Sequence, residues 1–406
     1  MTKRWNEKLT HALKSNHVAT QDTSFLLYDV NFLEDIFKNL KNEWPEKTLH
    51  ALAIKSCPLI NILKIQKEFE LGAEAASLEE IWIALEAGIK EEDIIFDSPA
   101  KTTEEIEFCL NNNIYFNMDS FEEFERVKII AGERDYKCGM RLNPEIGKGT
   151  ISHTSVGNKG SKFGVPIIGN EEKIKTLFEE NPNLVGVHVH VGSQGMSLDH
   201  LIKAISQVYH FSKELNDLSV FDLGGGLPVS YYKDQTAPSL SEYRQTLERD
   251  IPELFDSKLK LVSEFGRSVF ANSAVAVSQI EYIKNKNEIV VHLGADMFLR
   301  WVYRKEDWHH DVSAFSKDKD FEKRPKEEYQ INGPLCFGGD ILASELSLPK
   351  LTEEDYVIFH DCGAYTLSMW SRHCNRSMPK VLGVKNNEIF VLKSRQSKEN
   401  ILSLWK

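Results

Sequence analysis

The sequence predicts an α/β chain: a (β/α)8 TIM barrel carrying a C-terminal domain of antiparallel β-structure, a β-barrel or sandwich. Two observations predict it. From about residue 48 to 270, short β-branched or apolar runs alternate with longer stretches of helical periodicity, the pattern of parallel strands joined by crossover helices. After about residue 270 the helical intervals fade and strands and loops remain. Length permits both parts, since 406 residues exceed one ordinary domain.

The barrel rests on a count of eight candidate strands, the number that closes this fold. In order they are TLHALAI, ending just before Lys55, GAEAAS at 72–77, IIFD at 94–97, IYFNMD at 114–119, KCGMRLN at 137–143, LVGVHVHVG at 184–192, VFDLGGG at 220–226 and KLVSEFG at 260–266. Between them lie helical stretches such as SLEEIWIALEAG at 77–88, where Ile81, Leu85 and Gly88 recur at helical spacing and Ser77 with Glu80 forms a capping box. The later strands are AVAVSQIEYI, EIVVHLGADM, DYVIFHDCGAY and KVLGVKNNEIFVLK, the last folded at Asn386–Asn387 as a hairpin. The charged stretch at 317–329 reads as a solvated loop. The expected domains are therefore 35–270 for the barrel, with 1–34 and 271–406 forming the β domain.

Charge and composition narrow the function. A formal net charge of −12 argues against nucleic acid or an anionic membrane as the main partner. No run of 18 apolar residues spans a membrane, and the N-terminal stretch lacks the apolar core of a secretory signal, so a cytoplasmic location is expected. Six cysteines without CxxC spacing make neither a disulfide framework nor a zinc set. The histidines at 309, 310, 360 and 373, with Cys374, fit no zinc pattern either, so no metal is expected.

A barrel of this kind gathers its site at the C-terminal ends of its strands. Those ends carry Lys55, Glu74, Asp97, Arg141, His190, the glycines Gly224, Gly225 and Gly226, and Glu264 with Arg267. One amine, a glycine-rich turn, an imidazole and two carboxylates form a set suited to pyridoxal phosphate. A lysine after an apolar strand can offer a neutral amine for a Schiff base, where an isolated one would be a surface cation. Three consecutive glycines offer backbone N–H groups to a phosphate, although a flexible turn has the same letters. Glu264 can hold a proton on a pyridine nitrogen and so make the ring a better electron sink, or it can simply pair with Arg267. His188 and His190 alternate along one strand and should share a face, as core residues or as a ring that stacks on a ligand.

Taken together these residues resemble the fold-type III pyridoxal-phosphate decarboxylases, the group holding diaminopimelate, ornithine and arginine decarboxylases, with diaminopimelate decarboxylase nearest. The resemblance spans roughly residues 25–385 and runs in order through ALAIKS, GAEAAS, MRLNP, KGSKFGVP, HVGSQ, DLGGGLP, EFGRS, GPLCFGGD and DCGAYTLSM. It implies an alanine-racemase-like barrel in which Lys55 carries the cofactor beside Glu74 and Arg141, His190 stacks on the ring, and Glu264 binds its nitrogen. By the same resemblance Ser193, Gly224, Gly225, Gly226, Gly266, Arg267 and Tyr365 hold the phosphate. Cys336 is the implied acid that protonates Cα, reaching the site across a head-to-tail homodimer.

Three departures bear on the substrate. Phe337 follows Cys336 where relatives usually place an acidic residue for a distal amine, and an aromatic ring pairs with an ammonium only through its face. Arg300 matches an arginine that binds a distal carboxylate, but its neighbours here are Trp301 and, four residues on, Arg304. With Arg267, and with Tyr365 close by in the motif order, these cations point to an amino acid bearing a distal carboxylate. The alternatives are a racemase of the same fold, which usually has an arginine where Glu264 stands, and a decarboxylase-like binding protein without catalysis.

Overall fold

The computed structural model describes residues 2–147, 149–151, 154–232 and 235–406. They form two compact units, one of Asp35–Val229 and Thr236–Val269, the other of Met1–Glu34, Ser230–Gln235 and Phe270–Lys406.

The first strand of the chain, β1 (Ser24–Asp29), belongs to the latter unit. The other unit then supplies β2 (Leu49–Ala53), β3 (Gly72–Ala75), β4 (Ile94–Asp97), β5 (Tyr115–Met118), β6 (Cys138–Asn143), a two-residue β7 (Val165–Pro166), β8 (Leu184–His188), β9 (Val220–Asp222) and β10 (Lys260–Ser263). Apart from β7, which pairs at the tip of β6, these strands follow one another in the order β2, β3, β4, β5, β6, β8, β9, β10 and back to β2. Every pairing is parallel, so the eight predicted strands close the predicted barrel.

Side chains alternate along each strand, and the inward set separates into two layers. Near the N-terminal ends Leu49, Ala51, Ile95 and Val262 form an apolar cluster against Tyr115 and Val220. One strand position pair further on lie Asp97, Asn117, Arg141, His188, Asp222 and Glu264. Gly139 and Gly186 belong to the lower layer because a side chain at either would overlap the Tyr115 hydroxyl.

Most of the crossover helices start on serine or threonine caps, among them Ser77, Thr102, Ser120, Ser197 and Ser239. In the helix Leu78–Glu86 the Ser77 hydroxyl accepts the Glu80 N–H at 3.3 Å, but the Glu80 carboxylate reaches back one residue further than a capping box, to the Ala76 N–H at 2.7 Å. Its buried stripe is Leu78, Ile81 and Ala84, while Gly88 lies past the end at φ +80°.

The other unit is a mixed sheet. Its strands are β1, β11 (Ala274–Lys284), β12 (Glu288–Val291), β13 (Val312–Phe315), β14 (Lys326–Asn332), β15 (Ile341–Pro349), β16 (Tyr356–Phe359), β17 (Lys380–Lys385) and β18 (Glu388–Lys393). The pairings are mostly antiparallel, as expected, but β1 runs parallel to β17 and β12 parallel to β14. Asn386 and Asn387 turn the β17–β18 hairpin with φ of 51° and 65°, the left-handed pair that a tight two-residue turn requires. The helix Thr2–Lys14 lays Trp5, Leu9 and Ala12 on this sheet's core, against Phe25, Val275, Val277 and Ile358.

The loop expected at 317–329 needs correction. Its end enters β14, where Tyr329 is buried, and Phe321 is buried ahead of it. Charge at Lys326, Glu327 and Glu328 masked a strand whose inward residues are only Tyr329 and Ile331. No helix among the described residues is long and apolar enough to cross a membrane.

Candidate active site

Lys55 sits in a single helical turn, Ile54–Ser56, directly after β2, and its amine pairs with Glu74 at the end of β3. The two ends are unequal: the Lys55 side chain is 40% exposed and that of Glu74 is fully buried. Burial, opposed in part by Lys55, pushes the Glu74 carboxyl up to about 7. Such an amine is held by a partner that gains and loses its own charge near neutrality.

Beside this pair lies a buried polar layer. His188 has Nδ1 at 3.6 Å from Asp97 Oδ1 and Nε2 at 3.3 Å from Glu264 Oε2. His190, just beyond β8, has Nδ1 at 3.7 Å from the same Glu264 oxygen. The two rings therefore do converge on one face, 6.3 Å apart. Burial pushes Asp97 and Asp222 well above the carboxylate range, and the neighbouring Glu264 pushes them further. Burial also acts upward on Glu264, but His188, Asp97 and His190 outweigh it and hold that carboxyl well below its usual range. The group is thus pulled in two directions, toward the protonated form at Asp97 and Asp222 and toward the charged form at Glu264.

Several atoms of this layer have no hydrogen-bond partner: Glu264 Oε1, Glu74 Oε1, Asp97 Oδ2 and both ring nitrogens of His188. Buried polar atoms are seldom left so, and a cluster of them marks a place where a ligand completes the set.

The three glycines do other work than the sequence assigns. The Gly224 N–H donates to Asp222 at 2.9 Å and the Gly225 N–H to His190 Nδ1 at 3.1 Å, so two of the three donors expected to meet a phosphate are spent within the protein. What the glycines supply is closeness: a Cβ on Gly224, Gly225 or Gly226 would overlap the carbonyl oxygen of Val189, Glu264 or Gly192. Gly224 and Gly226 also take φ of 63° and 103°.

Arg141 is likewise turned inward. It donates to the His190 carbonyl at 3.1 Å, lies 3.7 Å from Asp119 and covers the Phe163 ring at 4.6 Å. It fixes the chain that carries His190. Arg267 is buried and its Nε donates to the Ser193 hydroxyl at 3.4 Å, with Gly266 packed on Ser56 just before it.

The remaining candidates belong to the sheet unit. Cys336 is exposed, in a loop tied by Asp340, whose carboxylate accepts the N–H groups of Leu335 and Ala295, each at 2.7 Å. Phe337 stacks on Tyr303 with ring centres 5.7 Å apart and meets His373 edge-on at 6.1 Å. Arg300 lies over the rings of Trp308 and Tyr365, at 4.7 and 5.1 Å. Tyr365 itself holds a left-handed backbone, φ 61°, a conformation that costs energy in a tyrosine and concentrates at functional positions. Arg304 does not join Arg300: its guanidinium is taken by Glu306 at 2.6 Å and Asp307 at 2.7 Å.

A family model described as the pyridoxal-binding domain of pyridoxal-dependent decarboxylases matches residues 31–271, more than half the chain. The chain belongs to this decarboxylase family. A diaminopimelate decarboxylase of Helicobacter pylori is 32% identical over 403 residues, 95% of this chain and 96% of its own. The solved structure of the Helicobacter pylori enzyme complexed with L-lysine has a TM-score of 0.84 at 30% identity, covering 95% of this chain and 97% of that one. The M. jannaschii diaminopimelate decarboxylase in co-complex with L-lysine gives 0.81 at 25%, covering 94% and 92%.

For this pyridoxal-dependent decarboxylase, the candidate site also holds residues that the sequence did not single out. Asp222 and Asn117, linked at 3.2 Å, lie in the polar layer, and Asp340 shapes the Cys336 loop. The first two were findable, because each stands two positions after an inward residue on a predicted strand. Asp340 carried no such signal, since a loop has no period.

Proposed function

We propose that this decarboxylase removes the α-carboxylate of an amino acid bearing a distal carboxylate, with Lys55, His190, Glu264 and Cys336 as its working groups. The observation that carries the reading is the buried, unpartnered Oε1 of an ionised Glu264 beside a neutral imidazole and a lysine amine. That set fits pyridoxal phosphate. An acceptor without a partner suits a protonated ring nitrogen, and an uncharged ring suits stacking.

Lys55 would hold the cofactor through its amine, Glu264 would keep a proton on the ring nitrogen, and His190 would lie against the ring. Ser193, Gly226, Gly266, Arg267 and Tyr365 would hold the phosphate. When bound, pyridoxal phosphate supplies an electron sink for the pair left on Cα as carbon dioxide departs. Cys336 would then return a proton to Cα, a task suited to a thiol that is protonated at neutral pH. Glu74 would steady the Lys55 amine and trade charge with it.

For the distal carboxylate the proposed partner is Arg300, preset by Trp308 and Tyr365. Phe337 offers no charge to a distal ammonium. A head-to-tail homodimer is part of this reading, with Cys336 of one copy serving Lys55 of the other, and the exposure of Cys336 in a single chain agrees with it.

The test is a panel of dicarboxylic, diamino and diaminodicarboxylic acids, followed for carbon dioxide and for loss of optical activity. Release of carbon dioxide from a dicarboxylic member, with weak turnover of meso-diaminopimelate, is expected. Rapid turnover of meso-diaminopimelate would overturn the role given to Phe337, and enantiomer exchange without gas would favour a racemase.

A further inference from the structure

Behind Glu264 stand two buried groups that the proposed chemistry does not use. His188 is wedged between carboxylates, Nδ1 facing Asp97 at 3.6 Å and Nε2 facing Glu264 at 3.3 Å. We propose that Asp97 and His188 are positioning residues that keep Glu264 ionised and aimed at the ring nitrogen. The inference rests on the reading of Glu264 given above.

The argument is one of charge and of available partners. Glu74, Asp97, Asp222 and Glu264 crowd one end of the barrel, and four neighbouring carboxylates cannot all ionise away from water. The facing cations are already engaged: Lys55 pairs with Glu74, and Arg141 faces Asp119. Asp222 is tied down by the Gly224 N–H at 2.9 Å and by Asn117 at 3.2 Å. His190 accepts from Gly225 and so offers Glu264 no proton at Nδ1.

His188 is placed to present an N–H to Glu264 from behind, and Asp97, which also reaches Glu264 directly, is placed to set which of its nitrogens carries the hydrogen. A protonated Asp97 donates to Nδ1, which puts the ring hydrogen on Nε2, toward Glu264. Asp97 Oδ2 and both ring nitrogens are buried without hydrogen-bond partners, and a shift of the His188 ring between its two carboxylates would satisfy them. The pair acts through Glu264 and touches no reacting atom.

The experiment uses the cofactor-loaded enzyme with His188→Leu, Asp97→Leu, Asp97→Asn and Glu264→Gln. In the two leucine variants the visible spectrum of the bound cofactor should acquire a pH titration that wild type lacks, and apoprotein affinity for pyridoxal phosphate should fall. kcat should drop by roughly 10- to 100-fold, the range seen when a group that orients a ligand from behind is removed, with KM little changed. Asp97→Asn keeps a neutral donor of the same shape and should restore the wild-type spectrum.

If Asp97→Asn behaves like Asp97→Leu, Asp97 acts as a charge and the proposal fails. It fails too if Glu264→Gln alters the spectrum while His188→Leu does not. Should Glu264→Gln itself leave spectrum and kcat unchanged, the underlying reading of Glu264 is what falls. If the leucine variants do not fold, His188→Gln, which keeps one donor, replaces them and should give a smaller shift of the same sign; no shift overturns the proposal.

Discussion

The backbone N–H of Gly225 donates to Nδ1 of His190, which fixes that ring as a neutral imidazole with its hydrogen on Nε2. Burial agrees, lowering the His190 pKa from 6.5 to about 4. Below pH 6.5 the unfolded chain takes up a proton that the folded chain refuses until about pH 4. His190 therefore adds stability that is complete above pH 6.5 and is lost as pH falls toward 4. His190→Phe should flatten the rise of stability between those values by up to about 1.4 kcal/mol per pH unit, read from urea midpoints at several pH values. An unchanged slope would mean that the ring charges freely.

Gly225→Ala tests the close approach of backbone. Its Cβ would meet the Glu264 carbonyl, so the carboxylate below must move. We expect a loss of about 1–3 kcal/mol in stability from overpacking, with a larger proportional loss of cofactor affinity. Normal affinity at reduced stability would separate the turn from the site.

Mixing two inactive variants tests the shared site. Lys55→Ala should lack the visible absorbance of a lysine-bound cofactor, and Cys336→Ala should keep that absorbance but lose roughly 100-fold or more in kcat, as expected for a missing acid. Combined and allowed to exchange subunits, the two should regain activity, because one of the two sites in a mixed dimer is intact. No regain in a proven mixed dimer would place both residues in the same copy's site.

Phe337→Asp should shift preference toward substrates with a distal ammonium. The change removes a stacked ring beside Tyr303 and adds a charge in an accessible loop. We expect kcat/KM for diamino acids to rise about two- to fivefold, consistent with one modest exposed ion pair, and the thermal midpoint to fall by only a few degrees. No gain would place the distal group elsewhere.

Much of this molecule was legible in its letters. All eight barrel strands announce themselves because a buried parallel strand is a short apolar run, and the polar residues closing the runs make up the candidate site. The sheet unit was harder. β14 hides behind Lys326, Glu327 and Glu328 because only one of its faces is buried. Parallel pairing of β1 with β17 joins segments some 350 residues apart, which no local pattern encodes. Arg304 illustrates a different limit: its charge is plain in the sequence, but Glu306 and Asp307 neutralise it in a turn whose geometry the letters do not give.

The apolar layer of Leu49, Ala51, Ile95 and Val262 closes the barrel beneath the polar one. A stopper of that kind shuts the N-terminal end of the barrel, so a ligand of the polar layer enters from the C-terminal end. Substrate and product must then take turns at the same threshold, and a product amine that lingers blocks the next entry.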